Sequence, residues 1–251
     1  MEKVSAAIIT KNEEANIRDC LESLRFADEI VVVDSGSTDQ TREICRQYGA
    51  RVFEEDWQGF ARQKNSAVAK TRNGWVLSVD ADERVPAELR EEIARVLDQN
   101  SPLDGYFLAR KNFFLGKWIR RCGWYPDFNL RLFRKDRGHF EEREVHERVQ
   151  VQGKVGYLQN PLEHFTYRSL SDFIERLDRY STLAAREMKR EGRRFRYPDL
   201  FFRPPFTFIQ MYLIRAGFLE GYFGFLLAVL YSFYTFVKYS KLKELQNVEN
   251  L

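Results

Sequence analysis

Cysteine is scarce in this sequence and unpatterned. Cys20, Cys45 and Cys122 are odd in number and sit at no metal-ligand spacing, which speaks against a thiolate metal site and for a reducing, cytoplasmic setting. The N-terminus lacks a basic region followed by an apolar run, so no secretory leader is expected. Internal repeats and low-complexity tracts are absent. So is an excess of one charge: 40 basic residues face 37 acidic ones, a formal +3, and no nucleic-acid partner is expected from so weak a field. A glycine-rich phosphate loop followed by lysine is missing near the N-terminus, which disfavours a nucleotidyltransferase built on that device.

What is present is a chain of 251 residues, 44% hydrophobic, long enough for an α/β domain with an appendage or for two small domains. Val4 to Ile9 reads as a short apolar strand, followed by the polar loop Thr10-Lys11-Asn12-Glu13-Glu14 and a helix from Ala15 to Leu24 that Asn12 can cap. The pattern repeats: a strand from Glu29 to Val33, the loop Asp34-Ser35-Gly36-Ser37-Thr38-Asp39, then a helix from Gln40 to Tyr48. A third strand at Arg51 to Phe53, a third helix at Phe60 to Lys70 and a fourth strand at Trp75 to Val79 complete an alternation that predicts a mostly parallel sheet with helices on both faces. Ligands of such sheets bind beyond the carboxyl ends of the strands, where the polar loops after Ile9, Val33 and Val79 converge.

The last of these loops carries Asp80-Ala81-Asp82. Strand alternation puts both carboxylates on one side, and such a pair suits Mg2+ or Mn2+ bridging a diphosphate, since these ions take one or two carboxylates and leave room for phosphate oxygens. An acidic turn before the helix Pro86 to Leu97 is the plainer alternative. Beyond that helix, Tyr106 to Ala109, Asn129 to Arg134, Val145 to Val149 and Val155 to Leu158 read as strands, and Lys117 to Asp127 as an aromatic, basic loop. Arg131 and Arg134 are expected on one face, where guanidinium forks would bind a donor diphosphate or an acceptor phosphate, unless they line a solvent-facing edge. Trp118, Trp124 and Tyr125 suit either sugar stacking or a hydrophobic core.

The C-terminal part changes character. Ser171 to Lys189 reads as an amphipathic helix with Phe173, Leu177, Tyr180 and Leu183 or Ala184 on one face. In the stretch from Arg186 to Arg203, Arg186, Lys189, Arg190, Arg193, Arg194, Arg196 and Arg203 outnumber Glu187, Glu191 and Asp199. An aromatic, apolar tail follows, its uncharged core running from Gly221 to Val237. That run is borderline for crossing a bilayer and better suited to the interface, with basic residues on anionic headgroups and aromatics beneath them. Packing on the rest of the protein or on a partner subunit is the alternative.

Three motifs in order resemble the family 2 glycosyltransferases with the GT-A fold: Ile8-Ile9-Thr10-Lys11-Asn12-Glu13-Glu14, Val32-Val33-Asp34-Ser35-Gly36-Ser37-Thr38-Asp39, and Asp80-Ala81-Asp82. The likeness covers about residues 1 to 168. The acceptor half, from Gly123-Trp124-Tyr125-Pro126-Asp127 through Leu130-Arg131-Leu132-Phe133 to Val145-His146-Glu147, and the tail are similar to a narrower group, the lipopolysaccharide inner-core β-glucosyltransferases. Ser35 departs from the family pattern by replacing the second of two paired aspartates.

The resemblance implies an inverting, metal-dependent transfer of a sugar from a nucleotide sugar, a UDP-sugar in the first instance, to a hydroxyl of a lipid-linked or lipopolysaccharide-core acceptor at the cytoplasmic face of the bacterial inner membrane. Thr10, Asn12, Glu13 and Asp34 would hold base and ribose, Lys64 and Arg131 would approach the diphosphate, and Asp82 would hold the metal. Asp80 would be shared between metal and ribose, and His164 would be a further metal or phosphate ligand. The expected base is Glu147, with Glu142 and Glu144 as alternatives. In domain terms, residues 1–100 would be the nucleotide-sugar half, 101–168 the acceptor half, 169–203 an amphipathic helix and basic linker, and 204–251 the membrane-associating helices. A polyprenyl-phosphate glycosyltransferase on the same fold, which needs no strong base, and a non-catalytic nucleotide-sugar-binding scaffold remain as alternative readings.

Overall fold

In a computed structural model of the chain, residues 2–99, 101–141 and 148–247 are described. In chain order the elements are β1 (Val4–Thr10), α1 (Glu14–Ser23), β2 (Glu29–Asp34), α2 (Thr41–Gln47), β3 (Arg51–Glu54), α3 (Phe60–Lys70), β4 (Trp75–Ser78), β5 (Glu83–Arg84), α4 (Ala87–Asp98), β6 (Gly105–Phe114) and β7 (Lys117–Trp118). They continue with β8 (Asp127–Arg134), β9 (Gly138–Phe140), β10 (Val149–Val151), β11 (Val155–Tyr157), β12 (Leu162–Tyr167), α5 (Leu170–Arg190), α6 (Tyr197–Ile209) and α7 (Tyr222–Asn247). The chain divides into two compact units, one of residues 1–111 and 127–164, the other of 112–126 and 165–251.

The first unit is built on a mixed sheet in the order β3-β2-β1-β4-β8-β6-β12-β5. Strands β3, β2, β1 and β4 are parallel, as the helix-separated apolar runs require. Strand β8 enters antiparallel to β4, and β6 antiparallel to β8, so the alternation of strand and helix stops where the antiparallel half begins. Strand β1 is central and buried along nearly its whole length, which is why Val4 to Ile8 are almost all apolar. Helices α1 and α4 bury Ile17, Leu21, Leu89 and Ile93 in the main core cluster, which also holds Trp75 and Leu77 of β4.

The structure departs from three expectations. The fourth strand stops at Ser78, and Asp80 to Glu83 close a turn in which the Glu83 amide donates to the Asp80 carbonyl at 2.9 Å. Strand alternation therefore does not orient the two aspartates. Arg131 and Arg134 do not share a face, because three residues along a strand is an odd step and reverses the side. Arg134 turns to Glu2 at 2.9 Å and lies over the Trp75 ring, whereas Arg131 points into the interior.

The second unit is mainly helical. Ser169 caps α5 by accepting from the Asp172 amide. The buried stripe of α5 runs through Phe173, Leu177, Ser181, Ala185 and Met188 rather than through Tyr180 and Leu183, because the small Ser181 and Ala185 let α7 approach closely. Trp124 lies in this unit's core with Phe114, Phe173 and Leu227, its ring edge-on to Tyr231, so it is a packing residue. Helix α6 carries Pro204 and Pro205 internally, and a π-helical turn, Gln210–Ile214, and a 3-10 turn, Gly217–Glu220, lead from it to α7.

Candidate active site

All site residues described below belong to the first unit. Thr10 and Asp34 are the last residues of β1 and β2, and they are partners in the ladder. The Thr10 hydroxyl donates to the fully buried Asp34 carboxylate at 2.9 Å, and the Ser37 amide donates to its other oxygen at 2.8 Å. The Ser37 hydroxyl also donates to Asp34 and accepts from the Asn12 amide at 2.8 Å. Asn12 adopts a left-handed backbone, φ 55°, and its side-chain oxygen accepts from the Thr38 amide at 2.8 Å. Asparagine tolerates this region because its short polar side chain bonds locally. Asn12 thus clasps the two loops together instead of capping α1.

Glu13 continues the clasp. Its amide donates to the Thr41 hydroxyl at 2.8 Å, while its carboxylate accepts from the Asn16 side chain at 2.6 Å. Asp39, just before α2, accepts from the Thr41 amide at 3.0 Å. Ser35, at the position where the family pattern has a second acid, is buried, and its hydroxyl has no hydrogen-bond partner among the described residues.

A cluster of charges lies at the end of β4. Asp80 receives Lys64 Nζ at 2.9 Å on one oxygen and Arg131 Nη2 at 2.7 Å on the other. The same Arg131 nitrogen is 2.6 Å from the carboxylate of Glu83, which is completely buried, accepts from the Asp80 amide at 2.8 Å and has Arg110 at 3.7 Å. Burial alone would raise the Asp80 pKa, but the Arg131 and Lys64 charges outweigh it and hold the carboxyl well below the usual carboxylate range. Glu83 goes the other way. Burial pushes it up, the Asp80 charge adds to that, and Arg131 only partly compensates.

Asp82 faces His164, with Oδ2 at 3.4 Å from Nε2. His164 is brought there by β12, whose pairing with β5 sets it opposite Glu83. Arg84 ties the turn to α1 by donating to the Asn16 carbonyl at 2.8 Å and to the Ala81 carbonyl at 3.0 Å. Asn65, one residue after Lys64, exchanges both its side-chain groups with the Phe140 backbone, each at 2.8 Å, and so pins β9 to α3.

Thr10, Asn12, Glu13 and Asp34 therefore form one linked pair of loops, and Lys64, Asp80 and Arg131 one ionic group, with Asp82 and His164 paired beside it. Glu142, Glu144 and Glu147 lie outside the described residues. Glu83 was not singled out from the sequence, where its only cue is a further carboxylate directly after the aspartate pair; Arg110 and Asn65 likewise gain meaning only from their partners. As to metal, the described residues hold no cluster of three or more possible ligands. Asp82 and His164 still fit a hard divalent ion that takes one carboxylate and one imidazole from the protein and fills its shell with diphosphate oxygens and water. Asp80 fits less well as a ligand, since both its oxygens already carry a cationic partner.

The glycosyl transferase family 2 profile matches residues 5–165. The lipopolysaccharide core biosynthesis glycosyltransferase LpsC of Rhizobium meliloti is 34% identical over 251 residues, covering 95% of this chain and 91% of that protein. An uncharacterized glycosyltransferase of Rickettsia typhi is 30% identical over 258 residues, covering 98% of this chain and 88% of that one. Among solved structures, S. aureus TarS 1-349 aligns with a TM-score of 0.48 and 17% identity over 98% of this chain and 91% of that chain.

Proposed function

The chain belongs to glycosyl transferase family 2, and we propose that it moves a sugar, with inversion, from a nucleotide sugar to a hydroxyl of a lipopolysaccharide-core or other lipid-linked acceptor at the cytoplasmic face of the bacterial inner membrane. The observation that carries this reading is the ionic group at the end of β4, where Lys64 and Arg131 meet on Asp80 beside the Asp82–His164 pair. Two cations fixed by a carboxylate suit the charge that grows on a diphosphate leaving group, since preorganised charges need no reorientation during the reaction. The likeness to LpsC supports the acceptor class.

Residues 1–100 would bind the donor and residues 101–168 the acceptor. The loops joined by Thr10, Asn12, Glu13 and Asp34 would receive the base and ribose, a UDP-sugar being the first donor to try. Asp82 and His164 would hold Mg2+ or Mn2+, and a bound ion supplies Lewis-acid stabilisation of diphosphate charge. Lys64 and Arg131 bind and orient the phosphates, Asp80 holds both cations in place, and Glu83 fixes Arg131 and the Asp80 amide from below. The acceptor hydroxyl then needs a base, and Glu147 is assigned to take its proton.

The test is incubation with a panel of nucleotide sugars and a membrane extract, following label into lipid-extractable and water-soluble products. Label is expected in the lipid fraction from one donor, with Glu147→Gln retaining donor binding and losing at least about 100-fold in transfer. Free sugar as the only labelled product, or a fully active Glu147→Gln, would remove the acceptor class or the base, respectively.

A further inference from the structure

Outside the active site, in the second unit, α6 and α7 run side by side with much of their aromatic surface uncovered. On α7, Tyr222, Phe225, Val229, Phe233 and Phe236 are 40–68% exposed, and their steps of three and four residues put them on a single stripe. Helix α6 contributes Phe201, Phe202, Phe206 and Ile209, 44–73% exposed. The two helices are fastened by the Ser232 hydroxyl donating to the Pro204 carbonyl at 2.8 Å and by the Thr207–Thr235 hydroxyl pair at 3.2 Å.

Among the described residues, α7 is the one helix long and apolar enough to cross a membrane by length and composition. Its other side argues against crossing. Leu227, Ala228 and Leu230 pack with Phe173 and Leu177 of α5, and farther along Tyr239 and Leu242 pack with Ala185 and Met188. Lys241 Nζ is 2.7 Å from both the carbonyl and the carboxylate of Asp178, and Lys189 Nζ donates to the Leu245 carbonyl at 2.9 Å. Helix α5 is thus bound along α7 over most of its length, and its outer side exposes Glu175, Arg179, Arg186 and Arg190. A crossing α7 would carry those charges into hydrocarbon, where charged side chains are strongly disfavoured. Its uncharged part, Tyr222 to Val237, is also only about 24 Å long at ~1.5 Å per residue, short of the ~30 Å core.

The rims of the stripe are basic. Arg193, Arg194 and Arg196 are exposed before α6, with Glu191 and Glu244 as the exposed acids near them. At the turn end Arg120, Arg121 and Arg215 are exposed, while the acid of that turn, Glu220, is buried and accepts from the Arg120 and Arg121 amides at 2.9 and 3.1 Å. An apolar stripe with a positive surplus at both ends complements an anionic leaflet.

We infer that the α6–α7 pair lies flat on an anionic lipid leaflet, its Phe201-to-Phe236 face at the headgroup–acyl boundary and both helix axes parallel to the membrane plane, without crossing. This deepens the membrane-face part of the proposed function and rests on it. The test uses the full chain with single nitroxide labels at Phe225→Cys, Val229→Cys and Phe233→Cys; the three native cysteines are buried. Vesicles of phosphatidylcholine, with and without phosphatidylglycerol, are compared, and depth is read from oxygen and nickel accessibility. Equal, shallow depths at the three sites are expected, with roughly tenfold stronger partition into the phosphatidylglycerol vesicles, and with Phe201→Ser/Phe202→Ser weakening partition about tenfold while circular dichroism stays unchanged. Depth changing by about 6 Å per four-residue step would show a crossing helix and overturn the flat placement alone. Absence of partition into either vesicle would overturn the membrane reading as well, and labels immobilised in a lipid-free dimer would assign the face to a second copy.

Discussion

Asp80 and Glu83 share one arginine yet are driven in opposite directions, which gives the pair a pH signature. The Asp80 pKa is depressed in the folded state, so its contribution is complete above the unfolded value of ~3.9 and lost as pH falls through the lower folded value. The Glu83 pKa is raised, so its ionisation weakens folding above the folded value, and that penalty is relieved as pH falls toward the unfolded ~4.3. Asp80→Asn should therefore cost about 1–3 kcal/mol at pH 7, less than breaking a fully buried ion pair because the Asp80 carboxylate is partly exposed, and the gap to wild type should close only below about pH 4. Glu83→Gln should show a pH dependence of the opposite sign, its difference from wild type moving against the mutant as pH falls from 7 toward the unfolded ~4.3. Urea titrations at pH 7, 5 and 3 read both. At the same scale, Asp82→Asn is expected to lower divalent-ion-dependent transfer by about 100-fold or more while changing the stability read from urea titration by no more than about 1 kcal/mol, because its contact with the His164 imidazole is 3.4 Å long and asparagine keeps the shape of the side chain. Full transfer in excess chelator would contradict the metal assignment.

Among the elements, the close approach of α7 to the turn before it depends on Gly224. A Cβ there would meet the Gly217 carbonyl oxygen at 1.9 Å and the Glu220 Cβ at 3.0 Å, and backbone cannot swing aside as a long side chain can. Gly224→Ala is expected to destabilise the second unit by about 1–3 kcal/mol, the usual cost of overpacking, despite alanine's better helix propensity. Thermal melts followed by near-ultraviolet circular dichroism, with Trp124 as a reporter in that core, would detect it. Most elements were legible in the sequence because their apolar periodicity is local: the strands from Val4 to Val79 and the helices between them fall within a few residues of their expected bounds. The buried face of α5 was not. Phe173 and Leu177 were readable, but the continuation through Ser181 and Ala185 reflects how closely α7 packs, which no periodicity in α5 records.

For the whole molecule, two attractions are expected to act at the lipid surface, and salt separates them. Raising ionic strength shortens the Debye length from ~10 Å at 0.1 M to ~3 Å at 1 M, which weakens the pull of Arg193, Arg194, Arg196 and Arg215 on anionic headgroups. Burial of the exposed aromatic face in the leaflet would not be screened. Partition into phosphatidylglycerol vesicles should fall about tenfold between these salt concentrations, toward the value for pure phosphatidylcholine, as co-sedimentation would show; complete release at high salt would mean that charge alone holds the protein there.

The sequence by itself determined the alternation of apolar strand, polar loop and helix, the acids at the strand ends and the uncharged aromatic run near the C-terminus, since each is written in consecutive residues. Tertiary structure decided which of those groups meet. Arg131 reaches Asp80 and Glu83 only because β8 pairs with β4, and His164 reaches Asp82 only because β12 pairs with β5. Such contacts join residues about fifty to eighty positions apart along the chain, a separation at which hydrophobic pattern constrains burial but leaves the choice of ionic partner to strand order and register.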